Sequence, residues 1–341
     1  IILVVFLNTK TVLSEKNIFN VNNIELEKKD NFTNDQLANL AIKKGFKELT
    51  EKILLDDYIK KLSNLSFSEI KELVSYYQVL TAKSDQTEKE FVKFNIFFDK
   101  EKLHNLFFKR EISYSEILDK EIFLLPVLKK DDQIFIYNKN IFYDNWNDIF
   151  KSELIEFILP IENIEVIKNI SENKDSLIDI NLGKIFKEYS KKNLALVIIE
   201  ETSYNEKKIF LKTQISNKNI TKNIKINKRD TNINNFNEKI ISEVKKEIIN
   251  IIKSENLIDV RTPSFLNSKL IIKNKNDLDI LNKRLKKIDL IENIYVLEFN
   301  KKNVFLKIKY LGKLNRIIKQ LENEKIILKL IGDQWNFEIN K

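Results

Sequence analysis

The chain has one histidine, His104, in Lys102-Leu103-His104-Asn105-Leu106-Phe107, and no cysteine among 341 residues. That inventory excludes thiol nucleophiles, zinc–thiolate sites, iron–sulfur clusters and disulfides. One imidazole cannot build a multi-histidine metal site, and a Ser-His-Asp arrangement would depend on His104 alone. On a helix His104 flanks the apolar stripe Leu103, Leu106 and Phe107, so a surface or boundary histidine is expected. Carboxylates remain. They pair at Asp56-Asp57, Asp131-Asp132 and Glu200-Glu201, and paired carboxylates can run glycoside hydrolysis or hold Mg²⁺. Asp131-Asp132 lies in a Lys-Lys-Asp-Asp-Gln run and reads as a solvated turn. Glu200 and Glu201 end an apolar strand, where sites of open α/β sheets gather, and are the pair a hydrolase would use.

Phosphate chemistry needs several backbone positions without a Cβ. Four isolated glycines, Gly45, Gly183, Gly312 and Gly332, cannot supply them, and no Walker or dinucleotide motif occurs. No catalytic, cofactor-binding or metal-ligating residue is therefore assigned, and no cofactor is expected.

The elements that would position these groups fall into three segments. Residues 17–116 read as strand 18–26, a helix capped at Asn34, a short helix capped at Ser66, strands 74–81 and 90–99 across a polar turn at 83–89, and a helix at 100–109. Residues 118–259 alternate strands (122–128, 133–137, 157–161, 194–200, 208–215) with helices at 147–156 and 181–192. A clear amphipathic helix follows, with its stripe on Phe236, Ile240, Ile241, Val244, Ile248, Ile251 and Ile252. Strand–helix–strand order argues for a partly parallel sheet. Arg261-Thr262-Pro263 marks a boundary. Strand 269–273, helix 277–288, strands 293–299 and 304–311, helix 313–324 and strand 326–331 then spell the ferredoxin-like βαββαβ order, with a last strand at 334–339. Two of the three prolines follow similar apolar runs, Phe123-Leu124-Leu125-Pro126 and Phe157-Ile158-Leu159-Pro160. Proline removes a ladder donor, so both are expected to end strands.

Ile1-Ile2-Leu3-Val4-Val5-Phe6-Leu7 is an apolar run, and Val12-Leu13-Ser14 fits what a signal peptidase accepts. Residues 1–14 are thus expected to be the remnant of an export signal, and nothing else approaches the length of a membrane span. The net charge is +9 and unevenly placed. Residues 264–341 carry 17 Lys/Arg against 9 Asp/Glu, and residues 203–232 carry 8 against 2. The remaining chain is mildly acidic. Two basic zones suit an anionic macromolecule such as nucleic acid, lipid head groups or an acidic glycan. RNA-binding modules of this topology stack bases on aromatics of their two central strands. The expected first strand offers only Leu270, Ile271 and Ile272, and the hairpin strand reads Val304-Phe305-Leu306-Lys307-Ile308. Nucleic acid therefore ranks behind another envelope protein as partner.

A run of local sequences is shared with one family: Val21-Asn22-Asn23-Ile24-Glu25-Leu26, Ala41-Ile42-Lys43-Lys44-Gly45-Phe46-Lys47-Glu48-Leu49, Tyr76-Tyr77-Gln78-Val79-Leu80 and Phe94-Asn95-Ile96-Phe97-Phe98-Asp99. Leu125-Pro126-Val127-Leu128, Asn145-Trp146-Asn147 and Leu159-Pro160-Ile161-Glu162-Asn163 continue it. The chain resembles an uncharacterised exported proteobacterial family, domain of unknown function 2066, in its marine alphaproteobacterial branch. The resemblance implies a signal peptide and an envelope address, and it brings no functional residue.

The expectation is an α+β protein of three small mixed domains: 17–116, 118–259 and a basic ferredoxin-like 264–341. Its function would be that of a non-catalytic, periplasmic envelope protein that binds or scaffolds another macromolecule through sheet edges or the basic third domain. Two rivals are a cytoplasmic nucleic-acid-binding protein using that domain and a hydrolase using Glu200 or Glu201.

Overall fold

The structure is a computed structural model that describes residues 3–5, 17–27, 32–82, 91–117, 120–150, 152, 154–189, 192–203, 206–228 and 232–340. The expected export signal lies outside them except for Leu3–Val5, and so does the turn 83–89. Helices and several separate sheets coexist, the α+β class expected. The chain divides into two compact units, 1–116 with 257–341, and 117–256.

The first unit opens with β1 (Leu3–Val5), β2 (Asn20–Glu27) and α1 (Asn34–Ile53). Helices α2 (Asp56–Lys60) and α3 (Phe67–Glu72), the hairpin β3 (Val74–Ala82) and β4 (Phe91–Phe98), α4 (Lys100–Arg110) and β5 (Tyr114–Ser115) follow. The cap of α1 is Thr33, one residue before Asn34, because Thr33 and Gln36 form a reciprocal capping box. Its buried stripe Leu37, Ala41, Ile42, Phe46, Leu49 and Ile53 covers one face of the sheet β1-β3-β4-β2. Gly45 allows that approach. A Cβ there would stand 2.8 Å from Ile24 Cδ1 and 3.2 Å from Ile96 Cγ1.

The second unit contains β6 (Glu121–Lys130), β7 (Gln133–Phe135), α5 (Ile141–Asn145), β8 (Glu156–Ile158), α6 (Ile164–Glu172) and α7 (Leu182–Ile185). The meander β9 (Asn193–Ser203), β10 (Glu206–Ile215) and β11 (Lys218–Asn227) leads into α8 (Ile233–Glu255). The sheet runs β11-β10-β9-β6-β7, and β8 also pairs with β6. β6 is parallel to β9 and β8, so the partly parallel pairing is present. α8 buries its stripe on one face and α6 and α7 cover the other. The described residues between 147 and 156 do not form the expected helix. Asn140 accepts from the Phe142 and Tyr143 amides and starts α5 earlier instead.

Pro126 corrects an expectation. It lies inside β6, opposite Val197, and ends nothing. β8 pairs with β6 only along Glu121–Phe123 and β7 only along Leu128–Lys130, so one side of β6 is open between them. The missing donor of Pro126 falls on that side. There the buried Asn140 Nδ2 donates to Pro126 O at 2.9 Å, doing the work of the absent strand. Pro160 follows the end of β8, as expected.

The chain then returns to the first unit with β12 (Leu257–Ile258), which pairs with β5. β13 (Ser264–Ile271), α9 (Asp277–Leu285), β14 (Ile291–Phe299), β15 (Asn303–Tyr310), α10 (Leu314–Asn323), β16 (Ile326–Ile331) and β17 (Gln334–Ile339) complete it. Its sheet runs β14-β15-β13-β17-β16. β17 lies parallel to β13 and pushes β16 to the edge; a four-stranded βαββαβ sheet would place β16 beside β13. One hydrophobic cluster runs from Phe107, Ile112 and Tyr114 to Leu290, Leu311 and Leu321. The segments expected as separate domains at 17–116 and 264–341 therefore share a core.

Candidate functional site

The paired carboxylates do not assemble a reaction centre. Neighbouring residues of a strand point to opposite faces, so Glu200 and Glu201 diverge. Lys129 Nζ lies 3.3 Å from Glu200 Oε1. Glu201 is bridged by Lys130 at 3.2 Å and by the buried Lys207 at 2.8 Å. Burial pushes the Glu201 carboxyl up, but the Lys207 and Lys130 hydrogen bonds outweigh it and hold the group below its ordinary value. A general acid needs the opposite displacement. Asp131 and Asp132 both have positive φ and form the exposed two-residue turn between β6 and β7. Asp57 pairs with Lys60 one turn along α2. Among the described residues no group of three His, Cys, Asp or Glu could hold a metal ion.

His104 is buried, not a surface or boundary residue, because α4 turns it onto the rings of Phe19 and Tyr114. Its Nδ1 is 3.2 Å from Glu292 Oε1, which also has Lys100 at 3.6 Å. The histidine hydrogen bond lowers the Glu292 carboxyl against its own partial burial. Nearby, burial raises the Glu116 carboxyl although Arg316 Nη2 is 3.6 Å away. These contacts fasten α4 and β5 to the start of β14 and to α10. They explain the histidine without chemistry.

The informative surface is the face of the C-terminal sheet turned away from its core. Strand alternation buries Leu266, Ser268 and Leu270 of β13 and Val304, Leu306 and Ile308 of β15. The intervening residues form cross-strand rows on the opposite face: Phe265 with Lys309, Asn267 with Lys307, and Lys269 with Phe305. β14 adds Tyr295 opposite Lys307 and, after a bulge, Glu298 opposite Phe305. Each row holds one aromatic ring and at least one lysine. Rows are about 7 Å apart, so the rings do not stack on one another along the face. Lys307 Nζ stands 4.6 Å from the Phe265 ring centre, and Lys269 Nζ is 5.5 Å from that of Phe305. Phe265 is 53% exposed and Tyr295 45%. Neither Lys269 nor Lys307 has a carboxylate partner among the described residues, whereas Lys309 feels Glu292. Glu298 is the acid that interrupts the positive charge.

Sequence reasoning missed this arrangement because it began the first strand at 269. β13 begins at Ser264, directly after Pro263, and brings Phe265 onto the face. The signal was the alternation Leu266, Ser268, Leu270, which the serine disguises.

No family model matches the chain, and no curated protein matches it. A solved structure titled "Crystal structure of uncharacterized protein" aligns with 41% of this chain and 94% of its own, at 10% identity and a TM-score of 0.17.

Proposed function

We propose that this is a non-catalytic binding protein whose C-terminal sheet holds single-stranded nucleic acid on its open face. The observation behind the reading is the placement of Phe265 and Phe305 on the two adjacent strands β13 and β15, interleaved with Lys269 and Lys307. Splayed bases stack on such rings while lysines neutralise phosphates between them. In this reading the C-terminal segment is a ferredoxin-like split βαβ module with β17 inserted, and the insertion leaves the open face of β13 and β15 uncovered. The export signal and the family resemblance concern the protein's address and stand apart from this surface.

The test is binding of labelled single-stranded RNA and DNA of about ten nucleotides to the full chain across a salt series. Lys269 and Lys307 at the phosphates give a log–log salt slope of about −1.4, near −0.7 for each phosphate neutralised on a single strand. Duplexes of the same length bind more weakly, because their bases are not free to stack. Salt-insensitive or absent binding overturns the proposal. An acidic polysaccharide, the alternative for an envelope protein, would be held by the lysines alone. Its affinity would not change in Phe265→Ala or Phe305→Ala.

A further inference from the structure

We infer that the second unit carries a separate binding site for a small amphipathic acid, a single acidic group on a short apolar body. On the face of its sheet covered by α6 and α7, four strands align one charged row: Lys129, Glu200, Lys208 and Lys225. The adjacent row is Val127, Ile198, Phe210 and Asn223. The chain after α6 walls the groove with Lys174, Leu177 and the exposed Ile178, and the volume of this open groove is about 330 Å³. Charge thus borders one end of an apolar floor.

The charges are not balanced within the groove. Glu200 is occupied by Lys129, and Lys225 reaches away to Glu206 at 2.8 Å. Asp175 also lines the groove, and Lys208 faces Glu200 across the strands and feels Glu206, so the four lysines of the lining outnumber its two carboxylates and leave it net positive. Lys208 and Lys225 also stand directly opposite each other on neighbouring strands, an arrangement that costs stability unless an anion lies between. Glu206 bridges Lys225 and acts on Lys208, and a bound anion would add to that compensation. At about 30 Å³ for each water-sized group, the groove accepts roughly ten non-hydrogen atoms, at the small end of ligand sites.

Carboxylate and phosphate heads share the required chemistry, and separate titrations of the full chain distinguish them. Calorimetry with octanoate and with hexyl phosphate would show saturable binding by at least one, with a dissociation constant on the order of 1 mM or below. Octanol, which has the tail without the charge, would bind at least tenfold more weakly. Lys208→Gln and Ile178→Ser change exposed side chains, so both variants should fold, and each should weaken the preferred acid about tenfold. Binding by neither acid, equal binding by octanol, or unchanged affinity in both variants overturns the site.

Discussion

Two segments of the first unit repeat one topology without a visible repeat in sequence. In β2-α1-β3-β4-α4 and again in β13-α9-β14-β15-α10, the third strand lies between the first two and antiparallel to both. Both sheets bury one face. The opposite faces differ in what they do with their own side chains. On the N-terminal sheet Lys93 is paired with Glu25, Asn95 accepts the Asn23 amide, and the Tyr76 ring stacks on Phe97 with centres 4.2 Å apart. On the C-terminal sheet Lys269 and Lys307 lean over phenylalanines and have no ion pair among the described residues. The first face satisfies itself and the second leaves cations and rings available. The shared topology therefore does not by itself carry the proposed binding, which would rest on a few alternate residues of two strands.

The sharpest way to break that contrast is to give the C-terminal face the carboxylates of the N-terminal one. Lys269→Glu with Lys307→Glu should weaken single-strand binding about 100-fold or more near physiological salt, since phosphate neutralisation becomes repulsion. Fluorescence anisotropy would measure it, and an effect under a few-fold would detach the lysines from binding. Next come the rings. Phe265→Ala and Phe305→Ala should each weaken binding by ~1–3 kcal/mol, about 5- to 150-fold, with little change in salt slope. Tyr76→Ala, on the self-satisfied face, should leave affinity unchanged. Equal losses from all three would mean that the two faces are not distinct.

A third check separates scaffold from surface. Gly45→Val drives a branched side chain into Ile24 and Ile96 and should cost ~1–3 kcal/mol of stability, read by chemical denaturation. At temperatures where the variant is folded, its nucleic-acid affinity should match the parent's. A stability unchanged by valine would mean that α1 does not depend on the glycine for its seat on the sheet.

Much of this scaffold is legible in the sequence because it is local. The α8 stripe of Phe236, Ile240, Ile241, Val244, Ile248, Ile251 and Ile252 is buried as its spacing requires, and β16 and β17 have the bounds expected of them. What was illegible depends on distant partners. Pro126 reads as a strand end until Asn140 is known to fill the gap beside it. β17 reads simply as a last strand, and only tertiary pairing reveals it between β13 and β16. β11 was not recognised because an outer strand rich in Lys and Asn, Lys218–Asn227, shows little apolar alternation. The candidate surface was half legible. Phe305, Lys307 and Lys269 stood in expected strands, while Phe265 acquires its meaning only when β13 starts at Ser264.

The smallest effect sharpens the comparison from the other side, by asking what a lysine does when it is not on display. Lys245 of α8 is buried; its ammonium donates to Ile149 O at 2.7 Å and lies 5.1 Å from the Phe157 ring centre. Burial lowers its pKa to about 8, against the ordinary 10.5 retained on unfolding. Below about pH 8 both states hold the proton and the cost of the buried charge is constant. Between the two values only the unfolded chain stays protonated, so folding stability rises with pH through that window. In Lys245→Met the increment disappears. The stability of the variant relative to the parent should therefore fall between pH 8 and 10.5. Denaturant unfolding of parent and variant at pH 7, 8, 9 and 10 measures this, and a pH-independent difference would mean that burial does not disfavour the Lys245 ammonium.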